Sequence, residues 1–303
     1  TSTLTDMGHN VRTLGVKDDL GAIRQAVDNF RPHIAFNLME AFHEVGTFDM
    51  NVVSYLELLR LPYTGCNPRG MVLSRDKALS KQLMAYHRIP VPEFTVFRRG
   101  FAIRPPRHLE FPVIVKSLTQ EASIGIAQAS VVEEEAKLRD RVKFVHESIE
   151  TDAIVERYID GRELSVGVIG NERLQVFPVW EMEFGQMPDR VHRIATDRVK
   201  WSVKYQLKHG INTSEASLPE VTSEAIKRIA KRVYRTLNMS GYARMDLRMD
   251  ADGKFFVLEA NANPQLAFGE DFAESAERSG LRYDELLQRI INVGLRWRPD
   301  QAG

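Results

Sequence analysis

The sequence predicts an α/β protein with α+β lobes, and three observations support this fold class. Between residues 11 and 66, short apolar runs alternate with amphipathic helical patterns, which is typical of a parallel sheet covered by helices. Two runs of alternating apolar and polar residues flank the turn signal at 250–253, which indicates a β-hairpin. A chain of 303 residues is long enough to divide into two or three lobes.

Composition and charge argue against two classes of function, nucleic-acid binding and membrane insertion. The hydrophobic fraction of 43% and the charged fraction of 27% are ordinary for a globular protein. Lysine plus arginine equals aspartate plus glutamate, at 41 each, so no global basic field attracts nucleic acid. No apolar run approaches the ~20 residues that cross a bilayer. We therefore expect neither nucleic acid nor a membrane as a partner.

The single cysteine and the first residues bear on the cellular compartment. Cys66 alone excludes an internal disulfide framework and fits a reducing compartment, so we expect a cytoplasmic protein. The chain opens at Thr1 without a basic-then-apolar signal pattern and soon reaches a helix-end pattern at 7–11. We expect an opening strand and part of the first helix to precede these residues.

The first lobe is predicted to serve as scaffold and substrate wall. Strands are expected at 11–16, 33–38 and 61–65, with helices at 18–30 and 48–60 between them. No GxGxxG follows these strands, so the fingerprint of dinucleotide binding is absent.

The region from residue 74 to residue 126 contains three lysines that are candidates for phosphate binding or surface positions. Ser74 is the expected N-cap of a helix that runs to residue 87, and Lys77 and Lys81 share one face of it. By itself, such a pair is usually solvated surface. The strand FPVIVK ends on Lys116 and runs into a loop of small residues, whose backbone N–H groups can bind phosphate. No GxxxxGK[ST] occurs, so this loop is not a P-loop.

Regular elements continue to the end of the chain. The pattern predicts a helix at 132–147, strands at 153–159, 163–169 and 174–182, and helices at 222–238 and 283–296. Residues 184–217 are polar and irregular, and a loop of this length inside a compact domain is usually functional or mobile.

The hairpin carries the strongest chemical signal. Side chains of a strand repeat every two residues, so Arg244 and Asp246 share one face of the first strand. The same rule puts Glu259 and Asn261 on one face of the second strand, together with Phe255 and Val257. Folding at the turn can bring Asp246 near Glu259 and Asn261, a hard-oxygen set that suits magnesium. A solvated hairpin face is the alternative, and it is weakened because burying unpaired acceptors is costly.

Two other kinds of site lack support. The eight histidines form no HxxxH or HExxH pair, which argues against zinc. No GxSxG occurs, so a hydrolase nucleophile elbow is absent.

Taken together, nine stretches resemble the ATP-grasp ligases, and within them the D-alanine–D-alanine ligase family. In chain order they are FNLMEAF, LPYTG, RDKALSK, FPVIVK, ASIGI, IVERYIDGRELSV, VKYQL, YARMDLR and VLEANANP. The resemblance runs from about Phe36 to Trp297. It implies an ATP-grasp fold with an N-terminal Rossmann-like lobe, and lobes at 1–74, 75–157 and 158–303.

The resemblance also implies residue roles. Lys77 and Lys116 would contact the phosphates of ATP, together with Ser123 of the phosphate loop. The adenine hinge would comprise Glu156, Arg157, Tyr158 and Ile159. Glu163 would bind the ribose and Leu258 would pack on adenine. Magnesium, or manganese in its place, would be held by Asp246, Glu259 and Asn261. The catalytic residues would be Arg244, Lys204 and Tyr205.

The reaction that the resemblance implies joins an acid to an amine. The substrate carboxylate attacks the γ-phosphate of ATP, and an amine then attacks the acylphosphate, with release of ADP and phosphate. The partners would be ATP and small-molecule acid and amine substrates. Members of the family are often homodimers, and the sequence leaves the oligomeric state open.

The departures from the family concern the substrate. Ala122 stands where the family has a serine, and Ser117 replaces a proline. Gln265 and Glu270 fall in the expected second-substrate pocket, where the family uses a serine to hold a carboxylate. An acidic residue repels a carboxylate, so D-alanyl-D-alanine is not the expected product. A strict D-alanine–D-alanine ligase and a catalytically silent nucleotide-binding module stay as alternatives.

Overall fold

Two antiparallel sheets line a common cleft in the computed structural model, which describes residues 1–106, 109–120, 125–188 and 191–299. The α-helices are α1 Ser2–Asp6, α2 Gly21–Phe30, α3 Asp49–Leu58, α4 Pro68–Arg75, α5 Lys77–Tyr86, α6 Glu135–Phe144, α7 Asp197–Trp201, α8 Val203–His209, α9 Glu220–Thr236, α10 Asp271–Arg278 and α11 Tyr283–Arg296. The strands are β1 Phe94–Phe97, β2 Val113–Ser117, β3 Val131–Val132, β4 Ala153–Arg157, β5 Arg162–Ile169, β6 Gln175–Val176, β7 Trp180–Glu183, β8 Asn212–Glu215, β9 Tyr242–Met249 and β10 Phe255–Asn261. None of the helices in these ranges is long and apolar enough to cross a bilayer.

The regular elements of the amino-terminal region, residues 1–93, are helices. The three strands predicted there do not form, so that prediction was wrong. The pairing between them is reduced to one parallel bridge, Ala35 to Tyr63. Its parallel sense is the one that the alternating pattern predicts. The segment 11–16 forms no strand, and most of its side chains are exposed. A strand needs a neighbour for its backbone groups, which apolar composition alone does not supply.

Two consecutive helices replace the single helix predicted from Ser74. The Asp76 carboxylate accepts from the backbone N–H groups of Ala78 and Leu79, so it caps α5. Ser74 lies in α4, where its hydroxyl donates to the carbonyl of Met71. The prediction of Ser74 as the N-cap was therefore wrong.

The first sheet has the order β1-β4-β2-β3. Residues on one of its faces, such as Val115 and Val155, pack with Leu138 of α6 into a buried cluster. Ile114 lies opposite Glu156 in the register and belongs to the other face, which lines the cleft. The alternation of side chains thus separates a dry core from the cleft.

The second sheet has the order β10-β9-β5-β7-β8, with β6 beside β5. Met245 and Leu247 of β9 pack with Ile226 of α9 in a hydrophobic core. Asp246 and Arg248 alternate with them and line the cleft. A short segment, residues 158–161 between β4 and β5, joins the two sheets.

The hairpin forms at the predicted turn. The Asp250 carboxylate accepts from the backbone N–H groups of Asp252 and Lys254. Gly253 has φ +79°, a left-handed conformation that favours glycine. Local hydrogen bonds therefore fix the point at which the chain reverses.

A β-bulge between Val257 and Glu259 corrects the predicted face of β10. Val257 lies opposite Leu247 and joins the core, whereas Glu259 lies opposite Asp246. Leu258 is the extra residue of the bulge, so strand parity changes there. The prediction that Phe255 and Val257 share a face with Glu259 was wrong, but the predicted pairing of Asp246 with Glu259 is correct.

The segment 184–217, predicted to be irregular, contains α7, α8 and β8. The Thr196 hydroxyl accepts from the N–H of Val199, and the Ser202 hydroxyl accepts from the N–H of Tyr205. β8 pairs with β7 and extends the second sheet. These short elements were missed because each depends on one cap or one strand partner.

Candidate active site

The cleft between the two sheets encloses about 810 Å³ of space free of protein atoms, part of which is open to solvent. Most of the residues predicted to bind ATP or metal line it: Lys77, Lys116, Glu156, Arg157, Tyr158, Ile159, Glu163, Asp246, Leu258 and Glu259. The fold thus brings together side chains that are far apart in the sequence.

Glu156 is shared by two lysines, one fully buried and one half-buried. Lys116 Nζ lies 3.1 Å from Glu156 Oε2, and Lys81 Nζ lies 3.4 Å from Oε1. Lys81 is fully buried and also donates to the carbonyl of Leu258. Burial alone would raise the pKa of Glu156, but the two ammonium groups outweigh it and lower that pKa, so the carboxylate stays ionised. Desolvation in turn lowers the pKa of Lys81.

Lys77 connects α5 to the rest of the cleft. Its ammonium group donates to the carbonyl of Gln120 at 2.6 Å and lies 3.9 Å from Glu259 Oε2. Both Lys77 and Lys81 are buried, so the solvated-surface interpretation of this pair was wrong. Ion pairing inside the cleft makes their burial tolerable.

The hinge between the sheets forms the apolar part of the cleft. Tyr158 and Ile159 are buried, and Ile114 and Leu258 line the same space from different sheets. Two apolar walls with a polar edge suit a flat aromatic ring that carries hydrogen-bonding groups. Glu163 stands at the start of β5, next to this segment.

The acidic part of the cleft lies on the hairpin. Asp246 and Glu259 are cross-strand partners, and Arg244 donates to both oxygens of Asp246 at 2.7 and 2.9 Å. Burial would raise the pKa of Glu259, but nearby lysines, Lys77 first, lower it to about 2. Burial would lower the pKa of Arg244, and Asp246 reverses this and raises it. The Glu259 carboxylate is therefore available as an anion at neutral pH.

Asn261, the third predicted metal ligand, lies opposite Arg244 in the register. Its side-chain oxygen accepts from the backbone N–H of Asn263 at 2.8 Å. In the described ranges, no group of three or more His, Cys, Asp or Glu side chains could hold a metal ion. Two carboxylates with an amide fit magnesium, which takes its other ligands from phosphates and water.

The predicted catalytic pair on α8 lies outside the lining of the cleft. Lys204 is exposed, and Tyr205 packs against His209 with ring centroids 4.3 Å apart. Lys200, at the last turn of α7, lines the cleft instead and contributes to lowering the pKa of Glu259. Contact of Lys204 and Tyr205 with a substrate stays a prediction.

The expected second-substrate pocket is open to solvent. Gln265 and Glu270 are exposed, and neither lines the cleft. Glu270 precedes α10, and its side chain makes no capping hydrogen bond there. Asn263 donates to the carbonyl of Met39 at 2.7 Å, so the segment that carries Gln265 adjoins the amino-terminal region. Ser123, predicted to bind phosphate, lies outside the described residues, as does Ala122.

Sequence reasoning missed Arg248, Lys200 and Lys81. Arg248 follows Asp246 by two residues on the same strand, so the parity that selected Asp246 could also have selected Arg248. The burial of Lys81 depends on Glu156, which is remote in the sequence. No local signal distinguishes Lys200 from Lys204.

Comparison with known proteins adds independent information. The model of the family described as D-ala D-ala ligase C-terminus matches residues 83–292. An uncharacterised protein of Sinorhizobium fredii is 32% identical over 97% of this chain and 86% of its own length. A D-alanine–D-alanine ligase of Pelotomaculum thermopropionicum is 27% identical over 93% of this chain and 86% of its own length.

A solved structure confirms the predicted fold class. The D-alanine–D-alanine ligase of Bacillus anthracis, complexed with ATP, superposes with a TM-score of 0.72. The superposition covers 90% of this chain and 82% of that chain, at 23% sequence identity. The ATP-grasp fold thus holds although most residues differ.

Proposed function

Because the chain belongs to the D-ala D-ala ligase C-terminus family, we propose that it is an ATP-dependent carboxylate–amine ligase that works through an acylphosphate. The observation that carries this proposal is the cleft itself. It places the lysine-bound Glu156 on one sheet and the Asp246–Glu259 pair on the other. Such a site combines cations for phosphate with carboxylates for a metal.

In the proposed binding mode, the nucleotide lies across the cleft between the sheets. Glu156 and the hinge hold the base, and Leu258 packs against it. Glu163 accepts from the ribose hydroxyls. Lys77 and Lys116 bind the phosphates, where charge-assisted hydrogen bonds are strong because the cleft is partly desolvated.

Magnesium fits the donor set of Asp246, Glu259 and Asn261, and when bound it neutralises charge on the phosphate oxygens. Glu259 needs no proton removed at neutral pH, because its pKa lies at about 2. Arg244 keeps Asp246 oriented through two hydrogen bonds. Manganese prefers the same hard ligands and would occupy the same place.

The first chemical step transfers the γ-phosphoryl group to the substrate carboxylate. Negative charge spreads over the phosphoryl oxygens, and Lys116, Lys200 and Arg244 are the cations that stabilise it. In the second step the amine attacks the acyl carbon and inorganic phosphate leaves. Holding the two reactants together away from water contributes ~7–11 kcal/mol in well-oriented systems.

The identity of the acid and the amine is proposed to depend on the segment around Gln265 and Glu270, which lies outside the cleft lining. Because relatives are named D-alanine–D-alanine ligase, the dipeptide D-alanyl-D-alanine is the first candidate product. Glu270 disfavours it, because a carboxylate near the second substrate repels the carboxylate of D-alanine. We propose an amine substrate without a free carboxylate at that position.

The proposed location rests on a buried thiol, and the proposed assembly rests on the family resemblance. The use of ATP and a buried free thiol at Cys66 suit the cytoplasm, which keeps thiols reduced. The proposed partners are ATP and small-molecule acid and amine substrates. A homodimer is the assembly that the family resemblance suggests.

An isotope experiment tests the mechanism directly. An acid labelled with ¹⁸O in its carboxylate should pass one labelled oxygen to the released phosphate, because that oxygen attacks phosphorus and leaves with it. Mass spectrometry of the phosphate measures this transfer. Turnover that releases unlabelled phosphate would contradict an acylphosphate, and ATP binding without turnover would favour the silent nucleotide-binding module.

A further inference from the structure

We propose that Arg248 is a positioning residue of the nucleotide site, which fixes Glu163 so that the ribose of ATP is recognised. This inference rests on the proposed function, since it concerns the same cleft. Arg248 is not among the residues that the family resemblance singled out.

Arg248 occupies a central place in the cleft. It lies on β9, two residues after Asp246 and on the same face. It is only 3% exposed, and it lines the cleft. A buried guanidinium stays charged, so its surroundings must supply acceptors.

The guanidinium contacts three parts of the cleft wall at once. Nη1 donates to the hydroxyl of Tyr158 at 3.3 Å and to the carbonyl of Ile159 at 3.2 Å. Nη2 donates to the carbonyl of Arg193 and lies 3.4 Å from Glu163 Oε2. The hinge, the proposed ribose carboxylate and the segment before α7 are therefore held by one side chain.

One donor of Arg248 is left without an acceptor. Its Nε is buried and has no hydrogen-bond partner among the described residues. Because this atom is fully buried, a ligand in the cleft does not reach it, and Arg248 acts on the nucleotide through Glu163.

The contact with Arg248 fixes the orientation of the Glu163 carboxylate. The Glu163 side chain is 22% exposed, so water competes for its oxygens. Arg248 holds Oε2, which leaves Oε1 to accept from a ribose hydroxyl. A planar fork of donors fixes orientation better than a flexible ammonium group, so lysine is a poor substitute.

Nucleotide binding by calorimetry with magnesium tests the inference. ATP, 2′-deoxy-ATP and 3′-deoxy-ATP are compared on the wild type and on Arg248→Met and Arg248→Lys. The wild type should prefer ATP by about tenfold over at least one deoxy analogue, as expected for a hydrogen bond to a charged group. In both variants this preference should fall to within about twofold.

Three control variants separate positioning from folding. The single change Glu163→Gln should be enough to remove the preference for ATP over its deoxy analogues. The double variant Glu163→Gln/Arg248→Met should show no further loss of this preference. Arg162→Met removes an arginine of the same sheet that pairs with Glu181 outside the cleft lining, and it should keep the wild-type preference. Thermal unfolding checks each variant, and Arg248→Lys is the milder change if Arg248→Met does not fold.

The outcomes distinguish the inference from the proposed function. If Arg248 variants weaken all three nucleotides equally, or weaken none, the inference is wrong and Arg248 is only structural. A wild type that binds ATP without any ribose preference also contradicts it. A wild type that binds none of the nucleotides contradicts the proposed function, and the inference falls with it.

Discussion

Two regions that are predicted to bind substrates differ in how their polar side chains are surrounded. At the proposed nucleotide end of the cleft, Glu156 is buried between Lys81 and Lys116, and each charge has a partner. In the predicted second-substrate region, Gln265 and Glu270 are exposed to solvent and lie outside the cleft lining. Buried charges are costly unless paired, so the proposed nucleotide end tolerates few substitutions. The exposed region can change at little cost in stability.

The first prediction tests the nucleotide end and carries the largest expected effect. Lys116→Ala should reduce kcat/KM for ATP by at least about a hundredfold, because a preorganised cation near the phosphates is lost. The fold should persist, since Lys81 still pairs with Glu156. ADP formation measures the activity, and thermal unfolding measures the fold. Lys137→Ala, an exposed lysine of α6, is the control, and unchanged turnover in Lys116→Ala would remove the phosphate assignment.

Glu259, the proposed metal ligand, gives the second prediction. Glu259→Gln should raise the magnesium concentration that supports half-maximal activity by about tenfold, because a neutral amide replaces an anionic ligand (about 1.4 kcal/mol). A magnesium titration measures this, with the exposed Glu172→Gln as control. Equal magnesium requirements in the wild type and Glu259→Gln would show that the metal lies elsewhere.

The same residue predicts a pH dependence of stability. The pKa of Glu259 is lowered from 4.5 to about 2, so its ionised form stabilises the folded state. This contribution is present above pH 4.5 and is lost as the pH falls towards 2. The unfolding free energies of the wild type and Glu259→Gln should therefore converge in that window. A difference that stays constant between pH 5 and pH 3 would contradict the lowered pKa.

These charges show what the sequence can and cannot predict. Strand parity and a turn signal placed Asp246 and Glu259 on adjacent strands, because both are local properties, but the bulge is what sets the two residues opposite each other. The bulge at Leu258 changes the parity of β10, and it depends on how β10 meets β9. The burial of Lys81 depends on Glu156, a contact between distant segments. Sequence patterns carry no direct record of such contacts.

The amino-terminal region shows the same limit for secondary structure. Its apolar runs were predicted to be strands, yet the bridge from Ala35 to Tyr63 is what joins them. Whether an apolar run forms a strand depends on a neighbour that composition does not reveal. The residue roles taken from the family resemblance and the lobe boundaries stay predictions.

Two lysines of the segment 197–209 differ in their position relative to the cleft. Lys200 lines the cleft and Lys204 is exposed, although the family resemblance selected Lys204. Lys200→Ala should lower kcat/KM for ATP by about tenfold, as expected for one partly desolvated charge contact. Lys204→Ala should lower it by less than about twofold. The reverse order of effects would mean that α8 moves into the cleft during turnover and that Lys204 is the phosphate contact.

The smallest effect on activity is expected from a substitution of Glu270, in the exposed region. Glu270→Ser should leave KM for ATP unchanged and improve the use of amines with a free carboxylate by about three- to fivefold, because a repulsive charge is removed. Competition between an amino acid and its amide measures this preference. Gln265→Ser serves as the control for a change of size without a change of charge. No shift in preference would place the second substrate away from Glu270.

The most direct test of the central claim is ATP-dependent phosphate release with magnesium. It is screened against single and paired D- and L-amino acids, their amides and short peptides. We predict release that requires one specific acid together with one amine, with the ligated product formed in equal amount. Phosphate release that is independent of any acid, or ATP binding without release across the whole panel, would contradict a carboxylate–amine ligase.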